Sequence, residues 1–229
     1  MTLEFAVRIA EILLGIALLQ QSLEFLRGIG FEKRIAIFRV LLSVLLIAGV
    51  YPVWVESLLL VTSILLIRRF LGPYNGGSDT MSILLLLCLW GSHVAPSRLW
   101  QEVALGYGAL QLTLSYFQAG WVKLINKEWR SGKALAEVFS FSAYPVSESL
   151  RALRKRNQLL FVASWCVIIG ELLFPLALLN ITALMVALLF TACFHLANAI
   201  LFGLNRFFWS WLAAYPIIIW FQERLPDLL

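Results

Sequence analysis

Charge is scarce in this chain. Only 14% of its 229 residues are Asp, Glu, Lys or Arg, against about 25% in soluble domains, and too little polar surface remains to cover a water-facing globule. With 61% hydrophobic residues and a mean hydropathy of +0.87, a soluble domain and a disordered chain are both excluded. Cysteine is nearly absent. Cys88, Cys166 and Cys193 all lie in apolar runs without CxxC spacing, so neither a disulfide framework, a zinc site nor a redox dithiol is expected, and no metal ligand set is assigned. There is no P-loop, zinc-protease helix or nucleophile elbow to support ATPase or hydrolase chemistry. Acid is in deficit, giving a net charge of +5 and a pI near 9.3. No basic stretch carries a nucleic-acid module, so no nucleic-acid partner is expected. The remaining solvent for such a chain is membrane lipid.

What is abundant is long apolar runs. Crossing ~30 Å of hydrocarbon takes ~20 residues, somewhat fewer when flanking residues snorkel. Eight runs qualify, near 5–26, 35–51, 53–67, 81–96, 101–122, 159–179, 181–203 and 206–222. The fold class expected is therefore all-α, a polytopic transmembrane bundle of about eight spans forming one domain over 1–229 with no soluble domain. The second and third runs are short and divided only by Tyr51-Pro52, so seven spans, or a re-entrant hairpin, is the alternative count. The first run carries Arg8, Glu11 and Glu24, has no small-residue cleavage site, and reads as a retained span.

Lys and Arg are unevenly distributed between alternate loops. The loops after runs one, three, five and seven hold 15 of the 18, counting Arg39 just inside the second run; Arg8, Arg98 and Arg224 make up the other side. The expected orientation has the basic loops cytoplasmic and both termini outside, in a plasma or bacterial inner membrane. Tryptophans, among them Trp54, Trp100, Trp121 and Trp129, cluster near run ends as an aromatic belt does. In the longest loop, 123–158, the stretch 133–144 is partly amphipathic and predicts an interfacial helix ended by Pro145. The basic run at 151–156 suits anionic headgroups.

Ionisable residues within a span cost at least ~2.5 kcal/mol on insertion scales, so each needs a reason. Glu171 lies mid-span, either as a hydrogen-bonded neutral carboxyl or as a proton-relay or cofactor-orienting acid. His195 and Asn198, three residues apart on one helix face, make either packing residues or a polar pocket. Counted from the turn at Asn180, Glu171 and His195 sit about 13 and 22 Å down their helices, so a direct pair needs distortion. Lys123 is either a snorkelling lysine or an amine tucked under the bundle mouth, where desolvation makes it a usable base. At Asn75-Gly76-Gly77-Ser78-Asp79, Ser78 or Asp79 is a candidate helix N-cap. The topology puts Asn75, Asp79, Lys123, His195 and Asn198 in one half of the membrane. His93 falls at the other end of its span and is left out of that set.

At these positions the sequence resembles a known family. Tyr116-Phe117-Gln118-Ala119-Gly120-Trp121-Val122-Lys123-Leu124, followed by Trp129 and Gly132, is similar to a pattern of the vitamin K-dependent γ-carboxylase superfamily, whose bacterial members are called HTTM-domain proteins. Phe194-His195, Asn198, Phe202 and Phe207 resemble a second motif. Asn75 to Ser78, with Arg98 and Trp100 beyond, resemble a third, and Glu171 lies where the family tends to carry an acid. The resemblance covers most of 70–210. It implies Lys123 as the base that deprotonates a reduced quinone of vitamin K or menaquinone type, with His195 as second catalytic residue and Tyr116, Asn75, Asn198 and Glu171 lining the quinone site. In the carboxylases the hydroquinone anion reacts with oxygen to give an alkoxide, which takes a γ-proton from a substrate glutamate before carbon dioxide traps the carbanion. Gly77 departs from the pattern, standing where the carboxylases have a catalytic histidine, and their large lumenal domain has no counterpart here.

Three functions follow. The first is a carboxylase-like membrane enzyme using reduced quinone and oxygen on a peptide or protein substrate. The second is a non-catalytic partner subunit for maturation of a secreted peptide, a role taken by some small family members. The third is a DoxX-like subunit of a quinone-linked oxidoreductase.

Overall fold

The computed structural model describes residues 1–69, 76–141 and 147–225. Among these, helix is the only regular structure. Eight long helices account for most of it: α1 (Leu3–Phe25), α2 (Phe31–Ala48), α3 (Pro52–Arg69), α4 (Gly76–Val94), α5 (Arg98–Ile125), α9 (Asn157–Ala177), α10 (Ile181–Phe202) and α11 (Asn205–Gln222). Between α5 and α9 lie three short ones, α6 (Lys127–Arg130), α7 (Lys133–Ser140) and α8 (Glu148–Arg151), and a 3₁₀ turn at Ala152–Lys155.

Each apolar run of the sequence coincides with one long helix. Among the described residues, two of them, α9 and α10, are long and apolar enough, by length and composition, to cross a membrane. The break at Tyr51-Pro52 is real. Gly49 at φ 75° ends α2, and Tyr51 takes φ 48° before α3 begins at Pro52. Only glycine adopts such angles without a Cβ clash, so Gly49 is required and Tyr51 is strained. Elsewhere side chains close the ends. Thr2 Oγ1 accepts the Phe5 N–H at 3.2 Å, and Asn180 Oδ1 accepts those of Thr182 and Ala183 at 2.8 and 3.2 Å.

The chain divides into two compact units, Met1–Leu110 with Trp209–Leu229, and Gln111–Phe208. In the first, α1 and α2 approach closely at Gly15, where a Cβ would lie 2.6 Å from Ile47 Cγ1. Leu14, Leu18, Leu46, Leu59, Leu85 and Leu89 are fully buried around them. Arg39 is fully buried too. Its guanidinium donates to Thr62 Oγ1 (2.9 Å), Ser63 Oγ (2.8 Å) and Gln21 Oε1 (2.8 Å), and Gln21 in turn donates to Asp79 Oδ1 at 2.6 Å. Arg39, expected just inside the second run but counted with the basic loops, instead joins α1, α2 and α3 inside the unit. The acceptors offset the insertion cost of a charged group, and the charge asymmetry then rests on 14 residues against three. Asp79 and Ser78 also differ from expectation, lying inside the first turn of α4 rather than before it.

In the second unit, α9 and α10 meet so tightly at Gly170 that a Cβ there would lie 2.2 Å from the Phe190 ring. The amphipathic stretch is helical only through Ser140, with residues 142–146, Pro145 included, outside the described residues. Its apolar face packs on the ends of α9 and α10. Phe139, Leu160 and Phe202 form a buried cluster, with the two phenylalanine rings 4.9 Å apart. Burial of each such side chain contributes about 1.5–3 kcal/mol.

Candidate functional site

The C-terminal half of α5 supplies one face of the site. Tyr116 and Lys123 are seven residues apart, two turns, and so share that face. Between them Gly120 sets the distance to α9: a Cβ at this position would lie 2.8 Å from Leu172 N and 3.0 Å from Glu171 Cβ. Backbone-to-backbone contact this close admits no other residue without displacement. Tyr116 packs against Phe174 with ring centroids 4.3 Å apart and planes tilted by 35°, while Gly120 meets Glu171 and Leu172, so α5 and α9 run antiparallel. Side chains on a helix lean toward its N-terminus. On antiparallel neighbours, Lys123 and Glu171 therefore lean toward each other.

Lys123 Nζ donates to both Glu171 carboxylate oxygens, at 2.7 and 3.0 Å, and lies 3.4 Å from Ala119 O. The side chains are 15% and 5% exposed. The Trp129 ring covers the ammonium at 5.3 Å, within cation–π range. Trp129 is held there by its backbone: Ser164 Oγ donates to Trp129 O at 2.5 Å, and Trp165 Nε1 donates to Arg130 O at 3.1 Å. Gly132 then turns the chain at φ 77°, with Phe161 N only 2.8 Å from where a Cβ would sit. The tryptophan and glycine that follow Lys123 in the sequence thus lock the loop over the amine onto the start of α9.

Two turns earlier, Tyr116 Oη shares a 3.0 Å hydrogen bond with His195 Nε2 of α10. His195 is buried, and Phe194 lies beside it with ring centroids 5.1 Å apart. Glu171 and His195 each have their own partner on α5, so one helix face joins two residues whose depths differ along α9 and α10. Sequence reasoning singled out all four residues but not their pairing, which joins positions 48 and 79 apart in the chain.

Asn198 lies one turn beyond His195, half-buried, and its backbone carbonyl accepts the Leu204 N–H at 3.3 Å as α10 closes on Gly203. Asn75 lies outside the described residues. Ser78 is buried in the first turn of α4, which belongs to the other compact unit.

Helix is thus the regular structure of the described residues, and one face of α5 carries a sheltered lysine–carboxylate pair and a tyrosine–histidine pair. A model of the HTTM domain matches residues 92–222, more than half of the chain, and the protein belongs to the HTTM-domain family. No curated protein and no solved structure matches it.

Proposed function

We propose that the protein is an integral membrane enzyme of carboxylase-like type, acting with a reduced quinone and oxygen on a peptide or protein substrate. The carrying observation is the Lys123–Glu171 pair, sheltered under Trp129 and placed on the same α5 face as the Tyr116–His195 pair. All eight long helices cross the membrane in this reading, with the basic loops cytoplasmic and both termini outside. Wide apolar exposure supports it. Val186, Leu189 and Ile200 of α10 and Leu176 of α9 are each 59% exposed or more, a surface water does not tolerate over such an extent.

The donor set fits a quinol. Such a ligand presents hydroxyl donors and oxygen acceptors, and the site offers an amine, a carboxylate, a phenol and an imidazole beside the Phe174 and Phe194 rings. The quinol, when bound, supplies the reducing power toward oxygen that no side chain here carries. The protein's part is proton handling. For Lys123 to act as a base its own proton must first leave, and the Glu171 carboxylate at 2.7 Å is placed to receive it. Tyr116 fixes the orientation of the His195 ring, and the apolar surroundings exclude competing water.

The test is oxygen-dependent epoxide formation by the purified full chain with a panel of reduced naphthoquinones. Wild type forms epoxide and Lys123→Ala, still folded and membrane-inserted, does not. No product above a boiled control across the panel sinks the enzymatic reading. It would favour an accessory role in peptide maturation, which has one observation behind it: an engaged Lys123–Glu171 pair also serves as a staple between α5 and α9.

A further inference from the structure

The first compact unit holds a second polar constellation, unrelated to the site above. Glu11 of α1, Glu56 of α3 and His93 of α4 bring one ligand atom each to within 4.8 Å of one another. His93 Nε2 lies 2.6 Å from Glu11 Oε1 and 3.9 Å from Glu56 Oε1. Glu56 is fully buried, and neither of its carboxylate oxygens has a hydrogen-bond partner among the described residues. A buried carboxylate without donors is among the costliest groups a helical interior can hold. One of its oxygens lies within 4.8 Å of both the imidazole nitrogen and an oxygen of the second carboxylate, where a cation would satisfy all three.

We propose that Glu11, Glu56 and His93 form a binding site for a divalent first-row transition metal of the zinc and manganese class. Two carboxylates and one imidazole are the donor types such ions take. The support around them fits as well. Arg8 Nη1 donates to Glu11 Oε2 at 2.7 Å, leaving Oε1 turned toward His93. Arg8 is itself anchored on the C-terminal carbonyls of α2, donating to Leu46 O at 2.9 Å and to Ile47 O. A partner that orients a ligating carboxylate is a regular feature of metal sites. A cavity of about 410 Å³, lined by Arg8, Glu11, Ser92 and His93, reaches two of the three ligands and provides both an entry path and room for a solvent or substrate oxygen as fourth ligand. Metal entry displaces the proton between Glu11 and His93 and parts those atoms from 2.6 Å to about 3.3 Å, the ligand spacing of a tetrahedral zinc site.

Equilibrium dialysis of the detergent-solubilised full chain against Zn²⁺, and separately Mn²⁺, followed by elemental analysis, tests the site. One equivalent of either metal per chain is expected, with a rise in unfolding temperature on binding. Glu56→Gln keeps the side chain's shape and His93→Gln alters a partly exposed residue, so both variants should remain monodisperse and helical by circular dichroism. Both should lose the equivalent and the thermal shift. No stoichiometric metal in wild type would leave only a shared proton among the three residues and overturn the proposal, as would full binding retained in both variants. Neither variant touches Lys123, Glu171, Tyr116 or His195, so the outcome is separate from that of the quinone assay.

Discussion

Neutralising Glu171 alone strands the Lys123 ammonium. Two unit charges about 4 Å apart attract by about 4 kcal/mol at an effective dielectric near 20, and breaking a buried pair by removing one partner costs about 3–5 kcal/mol. Lys123 retains 15% exposure and can swing partly toward solvent, which brings the expected loss for Glu171→Gln to about 2–4 kcal/mol. Lys123→Met should cost a similar amount by leaving the carboxylate unpaired. The double variant Lys123→Met/Glu171→Leu removes both charges, and replacement of a buried pair by apolar groups is about neutral or stabilising. The double should therefore be more stable than either single, with a coupling of at least about 2 kcal/mol. Unfolding in mixed micelles titrated with denaturing detergent, read through the tryptophans, measures it. Singles that add to the double within about 0.5 kcal/mol would mean that the two charges do not sense each other, and the pairing argument would be refuted.

Three other outcomes follow from contacts of the same kind. Tyr116→Phe removes one hydrogen bond from the buried His195 and should cost about 1–3 kcal/mol in the same unfolding assay, with loss of any epoxidation exceeding the stability effect. Gly120→Val drives a side chain into the Leu172 backbone 2.8 Å away; overpacking of about 1–3 kcal/mol should appear together with weakened pairing of Lys123 to Glu171. Arg39→Met in the first unit leaves Gln21, Thr62 and Ser63 without their shared donor, and a loss of about 1–3 kcal/mol is expected there with no effect on quinone chemistry beyond that of lower protein yield.

The helices were legible because a long apolar run kept from water has to satisfy its backbone groups internally, and the punctuation at Tyr51-Pro52 and Asn180 marked their ends. The α5 motif was legible as a family pattern around Lys123; that Tyr116 and Lys123 share a face, and that Gly120 brings α9 close, emerged only from the structure. What sequence could not supply was which neighbour. Pairing of Lys123 with Glu171 depends on the antiparallel register of α5 and α9 and on both side chains leaning toward their own N-termini, neither of which is written locally. Arg39 misled for a related reason. Lying just inside an apolar run, it looks like a loop charge, and only Gln21, Thr62 and Ser63 from two other helices make its burial affordable. His93 was set aside on topology, yet with Glu11 and Glu56 it forms the constellation of the first unit, because position along the span says nothing of what adjacent helices bring to the same level.

Everything proposed for the α5 face requires the Lys123 amine to be sheltered and engaged. Amine-directed labelling of the protein in native membranes, quantified residue by residue by mass spectrometry, reads this directly, with Lys133 at 62% exposure as the internal reference. Lys123 should label markedly more slowly than Lys133, and the Glu171→Gln variant should bring the two rates together. Equal labelling of Lys123 and Lys133 in the wild-type protein would contradict the account.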